Sequence, residues 1–438
     1  MAKAKKKENL TPEERLQAAL VPESEQPYKV PENWCWTYLK PISKIRTGKK
    51  DANYGSADGE YPFFTCAADP IRCHGYSFNC NAILLAGNGD INNISRYNGK
   101  FEAYQRTYVV EIIEPISIDY VFYWFKYRWF DFNKDKMFGT AIPYIRLGNL
   151  QEFPIPVPPV TQQQRIVDRI ESLFAKLDEA KQKAQDALDS FETRKAAILH
   201  KAFTGELTAR WRKEHGVGME SWNETILKDV CKVNPKKIDI NGLPDDLEVS
   251  FFPMASLSEI YGEITEPQTR LLKDVKNGFT NFSEGDVVFA KITPCMENGK
   301  SAIIGKLVNG LGYGTTEFYV LRCNENLYNR YLYHMVRDTS FRNKAKAVMS
   351  GAVGQQRVPK SFMENYPLDL PSVPEQIEIV RILDDLLAKE QQAKEATEAV
   401  LEQIDLIKKS ILARAFRGEL GTNDPTEESA VELVRNII

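Results

Sequence analysis

The segment Ile198–Leu207, ILHKAFTGEL, returns as ILARAFRGEL at Ile411–Leu420, with seven of the ten letters unchanged. Around it, residues 154–207 align with residues 367–420 without a gap, at a constant offset of 213 positions. Farther upstream, residues 32–40 resemble residues 220–228 at an offset of 188, and this match is weaker. The sequence therefore contains an internal repeat of two copies, and each copy consists of a divergent segment followed by a well-preserved one.

The preserved segments have the spacing of long amphipathic helices. Apolar residues recur three and four positions apart from Ile166, and again from Ile379, with charged residues between them. Gly205 and Gly418 stand where helix C-caps are expected. Each segment predicts a helix of about 40 residues, or about 60 Å. Because a pseudo-dyad relates the copies, we expect the stripes to pair as an antiparallel two-helix coiled coil. Its expected core positions are Ile166, Ile170, Leu173, Leu177, Leu188, Phe191, Ile198, Ile379, Leu383, Leu386, Leu401, Ile404 and Ile411.

The divergent segments contain short β-type runs, such as Ala82–Ala86 and Val287–Ala290, separated by clusters of Gly, Asn and Asp. They predict two mixed α/β domains, so the expected fold class is α+β with a pseudo-twofold internal repeat. Proline-rich straps at 154–159 and 367–374 leave each domain. The expected boundaries are an N-terminal extension with a short helix (1–27), a first domain (28–157), a central helical region (158–215), a second domain (216–370), a distal helical region (371–420) and a C-terminal tail helix (421–438).

Both terminal helices have recognisable start signals. Thr11, Pro12 and Glu14 form an N-cap, an N1 proline and a capping box, and Asp424–Pro425 is expected to open the tail helix in the same way.

The composition excludes several classes of protein. The net charge is −3, so bulk electrostatics alone do not hold this chain on a nucleic acid. Seven cysteines are an odd number and thinly spread, which indicates a reducing compartment rather than a disulfide framework. The basic start is followed by no apolar segment, and no run approaches the length of a membrane span. We therefore expect a cytoplasmic protein without a signal peptide.

Three motifs resemble the specificity subunit of type I restriction–modification enzymes. They are the domain start Val30-Pro-Glu-Asn-Trp34, the exit Pro-x-Pro-x-Pro-Pro with Gln163-x-x-Ile166, and the closing Ala-Phe-x-Gly-Glu-Leu. The resemblance covers about Pro27 to Leu420. One departure is Thr161, which stands where the family has a proline, whereas the second copy keeps Pro374.

The resemblance implies a function and a set of partners. Each divergent segment would be a target-recognition domain that reads one half of a bipartite site in double-stranded DNA. The helices would set the unread spacer and dock two adenine-methylating subunits, through which restriction subunits join. The chain would be non-catalytic and would need no cofactor itself, with S-adenosylmethionine, ATP and Mg²⁺ bound only by the partner subunits.

Candidate DNA-contacting residues are basic and amide side chains on loops, because phosphates need cations and base edges need bidentate donors. In the first domain they flank the first strand and a Gly/Asn-rich stretch. In the second they follow the matching strand, lie in the basic run 330–360 or occupy a Gly-bounded loop. They are Arg46, Lys49, Lys50, Asn88, Arg96, Tyr97, Arg106, Lys291, Thr293, Arg342, Lys344, Lys346, Gln355, Gln356, Arg357 and Lys360.

Catalytic alternatives find little support in the sequence. No Asn/Asp-Pro-Pro-aromatic tetrapeptide of an adenine methylase occurs, and Gly299-Lys300-Ser301 lacks the first glycine of a P-loop. A metal-nuclease pattern at Pro244-Asp245 and Asp274-x-Lys276 is short enough to arise by chance. Cys66, Cys73, His74 and Cys80 have poor spacing for zinc, so no metal site is expected. The remaining rivals are a stand-alone DNA-binding coiled-coil scaffold and, from the enzyme class, a nuclease with an unrecognised site.

The helices give the first testable prediction. Inserting four residues near Asp186 adds about 6 Å and about one helical turn. Since B-DNA advances about 3.4 Å per base pair, the unread spacer should lengthen by one or two base pairs while both half-site sequences stay the same.

The measurement is the methylated motif of cells that carry the variant. A two-residue insertion is the control, because it rotates the apolar stripe by about 200° and should abolish assembly. If the four-residue variant still methylates sites with the original spacer, the length of the helices does not set the length of the spacer.

Overall fold

A computed structural model describes residues 10–259, 264–352 and 354–438. The chain divides into two compact units, the first formed by Met1–Gln185 with Ala399–Ile438 and the second by Asp186–Glu398. Each unit holds one of the divergent domains together with a portion of both helical regions. No helix of the described ranges is long and apolar enough to cross a membrane.

The elements follow one another in chain order. From the N-terminus to the first long helix they are α1 (Pro12–Ala19), β1 (Cys35–Tyr38), β2 (Ser43–Thr47), β3 (Tyr61–Phe64), β4 (Ile71–Cys73), β5 (Phe78–Ala86), β6 (Ile94–Ala103), β7 (Thr107–Ile112), α2 (Ile118–Asn133), α3 (Leu147–Gln151), β8 (Pro154–Val157) and α4 (Val160–Asp189). The remainder comprises α5 (Phe191–Phe203), α6 (Ala209–His215), β9 (Asn223–Ile226), α7 (Leu227–Val230), β10 (Cys231–Val233), β11 (Glu248–Phe252), β12 (Gln268–Leu271), α8 (Leu272–Val275), β13 (Thr280–Phe282), β14 (Val287–Ala290), β15 (Ser301–Ile303), β16 (Gly312–Gly314), β17 (Phe318–Cys323), α9 (Asn329–Arg337), α10 (Thr339–Ala347), α11 (Lys360–Glu364), β18 (Pro367–Leu370), α12 (Val373–Ala415) and α13 (Ala430–Ile437).

The first unit is built on a six-stranded sheet with the order β2-β7-β5-β6-β3-β4. The second half of β5, residues 82–86, is buried on both faces, and its alternate residues belong to different cores. Ile83 and Leu85 join the larger core, which includes α2, while Ala82 and Leu84 join a smaller core with Phe101. The sheet is therefore covered on both sides.

The second unit carries two four-stranded sheets, β10-β17-β14-β15 and β12-β11-β16-β13. Strand β14 is fully buried between the cores on its two faces, since Val287 and Phe289 face α9 and α10 whereas Val288 faces the second sheet. The mixed α/β domains predicted from the sequence are confirmed, although the two copies arrange their strands differently.

The straps pair identically in the two copies. Strand β8 runs antiparallel to β1, with Cys35 opposite Val157, and β18 runs antiparallel to β9, with Asn223 opposite Leu370. These pairs are related by the same offsets of 188 and 213 that relate the sequences. The internal repeat is thus a repeat of structure as well as of sequence.

The first helical region differs in one respect from the single helix predicted. It is divided into α4 and α5 at Ser190, whereas α12 runs unbroken for 43 residues. At the break, the Ser190 hydroxyl and the Arg194 guanidinium both donate to the Ala187 carbonyl, at 2.9 and 3.1 Å. Side-chain donors at this carbonyl compete with the helical backbone hydrogen bonds at the break.

Within each unit the two helical segments run antiparallel. In the first unit, Lys408 pairs with Asp178 and Asp405 pairs with Lys181, at 3.1 Å for the latter. In the second unit, Arg194 forms an ion pair with Glu390 at 2.9 Å, and the Lys394 ammonium lies 4.9 Å from the centre of the Phe191 ring. These two contacts also show that the segments run antiparallel. Of the expected coiled-coil positions, the buried ones are Ile166, Ile170, Phe191, Ile379, Leu383 and Ile404. The half-buried ones are Leu173, Leu177, Leu188, Ile198, Leu386, Leu401 and Ile411.

The end of each helical region is anchored by an aromatic contact. Phe203 packs on Tyr331 of the second domain, with ring centres 5.3 Å apart, and Phe416 packs on Tyr120 of the first domain, at 5.2 Å. Each region therefore begins at one divergent domain and ends against the other, and each contact lies inside a single unit.

Helices α1 and α13 meet inside the first unit, where the Arg15 guanidinium donates to the Ile438 carbonyl at 3.4 Å. The Ala430 N–H donates to the Asn33 carbonyl at 2.9 Å, and Glu427 accepts two hydrogen bonds from Arg165, at 2.9 and 2.8 Å. The Thr11 capping box is present. The expectation that Asp424 opens the tail helix is wrong, because its carboxylate closes a local turn on Thr426 and the helix starts after Ser429.

One buried amide side chain joins each strap to its helix, and the amide of the first copy generates the second prediction. The Gln163 side chain accepts from the Ser117 N–H at 2.7 Å and donates to the Pro158 carbonyl at 2.9 Å. Gln163→Leu should lower the free energy of unfolding by about 1–3 kcal/mol, because these buried backbone groups lose their partners. The measurement is urea denaturation of the full chain. Gln164→Leu is the matched control, since Gln164 is exposed and bonds only Asp168. Equal effects of the two variants would contradict the role given to Gln163.

Candidate nucleic-acid interface

In the first domain, four loop segments are tied together by backbone hydrogen bonds. The Arg106 carbonyl, in the turn between β6 and β7, accepts from the Gly87 N–H at 2.8 Å, and the Gly87 carbonyl accepts from the Ile145 N–H at 2.9 Å. The Gln105 N–H donates to the Lys50 carbonyl at 2.9 Å. Asn88 forms a bridge with Tyr144. We call residues 48–51, 87–89, 104–106 and 143–146 the first loop cluster.

Four of the predicted DNA-contacting residues lie in the first loop cluster. Lys49 and Arg106 are exposed, Asn88 is half-buried, and the Lys50 ammonium lies 4.3 Å from the centre of the Tyr54 ring. The close packing needs a glycine at position 48, because a Cβ there would stand 1.8 Å from the Ala103 carbonyl oxygen.

The structure does not bring the other three first-domain candidates into this cluster. Arg46 lies on β2, pairs with Glu111 and stacks over the Phe78 ring. Arg96 lies on β6 and pairs with Asp119 of α2. Tyr97, the next residue along the strand, packs on the opposite face against the smaller core.

The second domain assembles the equivalent cluster from two segments that the sequence singled out separately. The Thr293 N–H donates to the Gln356 carbonyl at 3.0 Å, and the Gln356 N–H donates back to the Thr293 hydroxyl at 3.1 Å. The Val358 N–H donates to the Lys291 carbonyl at 2.9 Å. We call residues 291–293, 317 and 355–358 the second loop cluster. The Gln355 side chain is exposed and that of Gln356 is half-buried.

Arg357 is held within the second cluster rather than standing apart. Its guanidinium forms two hydrogen bonds to the Glu317 carboxylate, at 2.9 and 2.8 Å. This contact raises the pKa of Arg357 and lowers the pKa of Glu317 below its usual value, so both groups are charged at neutral pH.

The two clusters have the same hydrogen-bond frame. The bond from Gly87 to Arg106 corresponds to the bond from Lys291 to Glu317, at 2.9 Å, and the Asn88–Tyr144 bridge corresponds to the Ile292–Arg357 bridge. At the same two positions of this frame, the first copy therefore has Arg106 and Tyr144, whereas the second copy has Glu317 and Arg357.

Sequence reasoning missed two members of this frame, Tyr144 and Glu317. Tyr144 aligns with Arg357 when the offset of 213 is continued ten residues upstream of Pro154, and this signal was available in the sequence. Arg146 was also missed; it donates to the Tyr144 hydroxyl at 3.2 Å and stacks 3.9 Å from the centre of the Phe138 ring.

Of the predicted basic contacts in the run 330–360, Arg357 lies in the second loop cluster, whereas the other four lie on α10 and α11. Arg342 is a structural residue, since it donates to the carbonyls of Glu297 and Arg337 and burial lowers its pKa. Lys344 is exposed beside the Tyr366 ring. Lys346 pairs with Glu297 at 2.6 Å and Lys360 pairs with Glu364 at 2.9 Å, so much of the positive charge is compensated locally.

The weak catalytic patterns do not form sites. Ser301 is buried and opens a strand, whereas a P-loop serine opens a helix. Lys276 of the nuclease-like pattern forms an ion pair with Asp245 at 2.6 Å. Within the described ranges no three His, Cys, Asp or Glu side chains are grouped so that they could hold a metal. Cys73 instead donates to the Gly75 carbonyl at 3.1 Å, and burial raises the pKa of Cys80.

Comparison with known proteins gives one consistent result. Residues 31–188 and 219–403 match the type I restriction modification DNA specificity domain. The chain is 28% identical over 414 residues to the type I restriction enzyme EcoDI specificity subunit of Escherichia coli, with 90% of each chain covered. It is 23% identical over 421 residues to the MjaVIII specificity subunit of Methanocaldococcus jannaschii, covering 90% of this chain and 94% of that subunit.

A solved structure shares the fold. The crystal structure of the HsdS subunit from Thermoanaerobacter tengcongensis aligns with a TM-score of 0.61 at 19% identity, over 91% of this chain and all of that one. The two segments that match the specificity domain fall one in each copy of the repeat. They include the two loop clusters and most of the paired helical regions. The chain belongs to the family of type I restriction–modification DNA specificity subunits.

Proposed function

We propose that this subunit reads a bipartite site in double-stranded DNA, one half-site with each loop cluster. The observation that carries this proposal is the shared hydrogen-bond frame of the two clusters, which holds different side chains in the two copies. A common frame with exchanged side chains is what two unrelated half-sites require, because base edges differ in their pattern of donors and acceptors.

Each cluster offers the chemistry for this role. In the first, Lys49 and Arg106 supply exposed cations for phosphates, and Asn88 supplies an amide suited to adenine. In the second, the exposed Gln355 supplies an amide, while the Glu317 carboxylate orients the Arg357 guanidinium. A guanidinium held in this way loses less conformational entropy when it binds a base.

The proposal extends to chemistry and partners. The subunit directs catalysis without performing it, and two methylase subunits dock on its helical regions and recruit restriction subunits. S-adenosylmethionine, ATP and Mg²⁺ are then bound by those partners.

A third prediction tests whether the half-sites are read separately. Replacing Gln355, Gln356 and Arg357 together with alanine should relax the sequence specificity at one half-site only. Each bidentate contact between a side chain and a base that is lost should lower the discrimination against the wrong base by about 1–3 kcal/mol. Replacing Asn88 and Arg106 should relax only the other. The measurement is methylome sequencing of cells that carry each variant, and Lys360→Ala on α11 is the control. Loss of specificity at both half-sites in either variant would contradict the proposal.

A fourth prediction tests the missing chemistry. The purified chain should neither methylate nor cleave duplex DNA when S-adenosylmethionine, ATP and Mg²⁺ are supplied. Addition of methylase subunits should produce adenine methylation of the bipartite site. Methyl transfer or cleavage by the chain alone would show that a catalytic site exists.

A further inference from the structure

The second unit encloses a cavity of about 580 Å³ between α5, α12 and the pair α9–α10. We call it the cationic cavity, because five basic side chains line it against three acidic ones. The basic residues are Lys195, Arg330, Arg337, Arg342 and Lys394, and the acidic residues are Glu192, Glu259 and Asp384.

Most of these charges have partners within the wall. Asp384 accepts from Arg330 and from the buried His334, both at 2.8 Å. Arg337 donates to the carbonyls of Gly299 and Glu259, at 3.0 Å each. Lys195 and Lys394 are the exceptions, since within the described ranges neither ammonium forms an ion pair with a carboxylate, and Lys394 lies over the Phe191 ring instead.

The first unit serves as an internal control for this cavity. At the offset of 213, Lys195 corresponds to Lys408, which pairs with Asp178. The counterpart of Asp178 is Gln391, which lines the cavity, so the second copy has the lysine without its acid.

The facing helix shows a charge reversal in the same direction. In the second copy His334 contacts Asp384, and in the first copy Tyr123 contacts Glu171 at 3.5 Å. Because Asp384 and Glu171 are equivalent in the repeat, His334 corresponds to Tyr123, which aligns α9 with α2 at an offset of 211. On this alignment Arg330 corresponds to Asp119, so a cation in the second copy replaces an acid in the first. At the positions compared, the second unit therefore carries more positive charge than the first.

Lys195 is also in an unfavourable environment. Burial lowers its pKa below the ordinary value for lysine, and repulsion from Arg337, Arg342 and Lys394 lowers it further, against the opposing effect of Glu192. A bound anion would relieve both the burial cost and the repulsion.

We propose that the cationic cavity binds a phosphate-bearing anion, with Lys195 and Lys394 as its principal cationic contacts. The volume lies within the range of small-ligand sites, and ammonium and guanidinium groups are the usual partners of phosphate oxygens. The site does not depend on the reading of base sequence proposed above. Its phosphate is either that of a free small molecule or that of the DNA backbone.

The test restores the missing acid. Pyrophosphate binding to the full chain is measured by isothermal titration calorimetry, with chloride adjusted to constant ionic strength. The unmodified chain should bind pyrophosphate, and Gln391→Asp should weaken binding at least about tenfold by supplying Lys195 with an internal partner. Gln391→Asn is the matched control, because it has the same size without the charge, and Lys408→Gln controls for the equivalent position of the first unit. Both controls should bind as the unmodified chain does.

A second arm identifies the source of the phosphate. If it is the DNA backbone, duplex DNA should displace pyrophosphate, and Gln391→Asp should reduce the salt dependence of DNA binding by the complex with methylase subunits. If the phosphate belongs to a free molecule, duplex DNA should not displace pyrophosphate, and Gln391→Asp should not change the salt dependence of DNA binding. The proposal is overturned if Gln391→Asp binds pyrophosphate as Gln391→Asn does. It is equally overturned if the unmodified chain shows no binding and the salt dependence of DNA binding is unchanged in Gln391→Asp.

Discussion

Each helical region is fixed to the recognition domain that precedes it by one buried amide side chain. Gln376 accepts from the Tyr328 N–H at 2.7 Å and donates to the carbonyls of Asn326 and Pro371, both at 2.8 Å, as Gln163 does for its own strap and domain. An amide offers an acceptor and donors on one rigid plane, so it sets the angle at which the helix leaves. The aromatic contacts of Phe203 and Phe416 then fix where the helical regions end.

Much of this architecture could be predicted from the sequence, because it depends on periodic and repeated signals. The offset of 213 located both helical regions and their glycine caps, and the straps were identified by their prolines. The break at Ser190 could not be predicted in this way. It arises from an arginine one turn farther along that reaches back to a carbonyl, and neither glycine nor proline marks it.

The candidate site was only partly predictable for a different physical reason. Lys291–Thr293 and Gln355–Arg357 were identified separately, but their union depends on pairing across more than 60 residues. Arg96 and Arg342 have the residue type of DNA contacts and yet are bound to Asp119 and to the Glu297 carbonyl. Such internal partners are set by strand register and helix packing, and composition does not reveal them.

The closure of the chain ends has a consequence for the order in which the protein folds during synthesis. The second unit is one continuous stretch, Asp186–Glu398, and its core is complete once Glu398 has emerged. The core of the first unit also includes Phe416, Ala430 and Val434. The recognition domain that is made first therefore stays incomplete until residues 416–434 have been synthesised. During that interval the surfaces beside Tyr120 and Trp124 that Phe416 later covers face solvent.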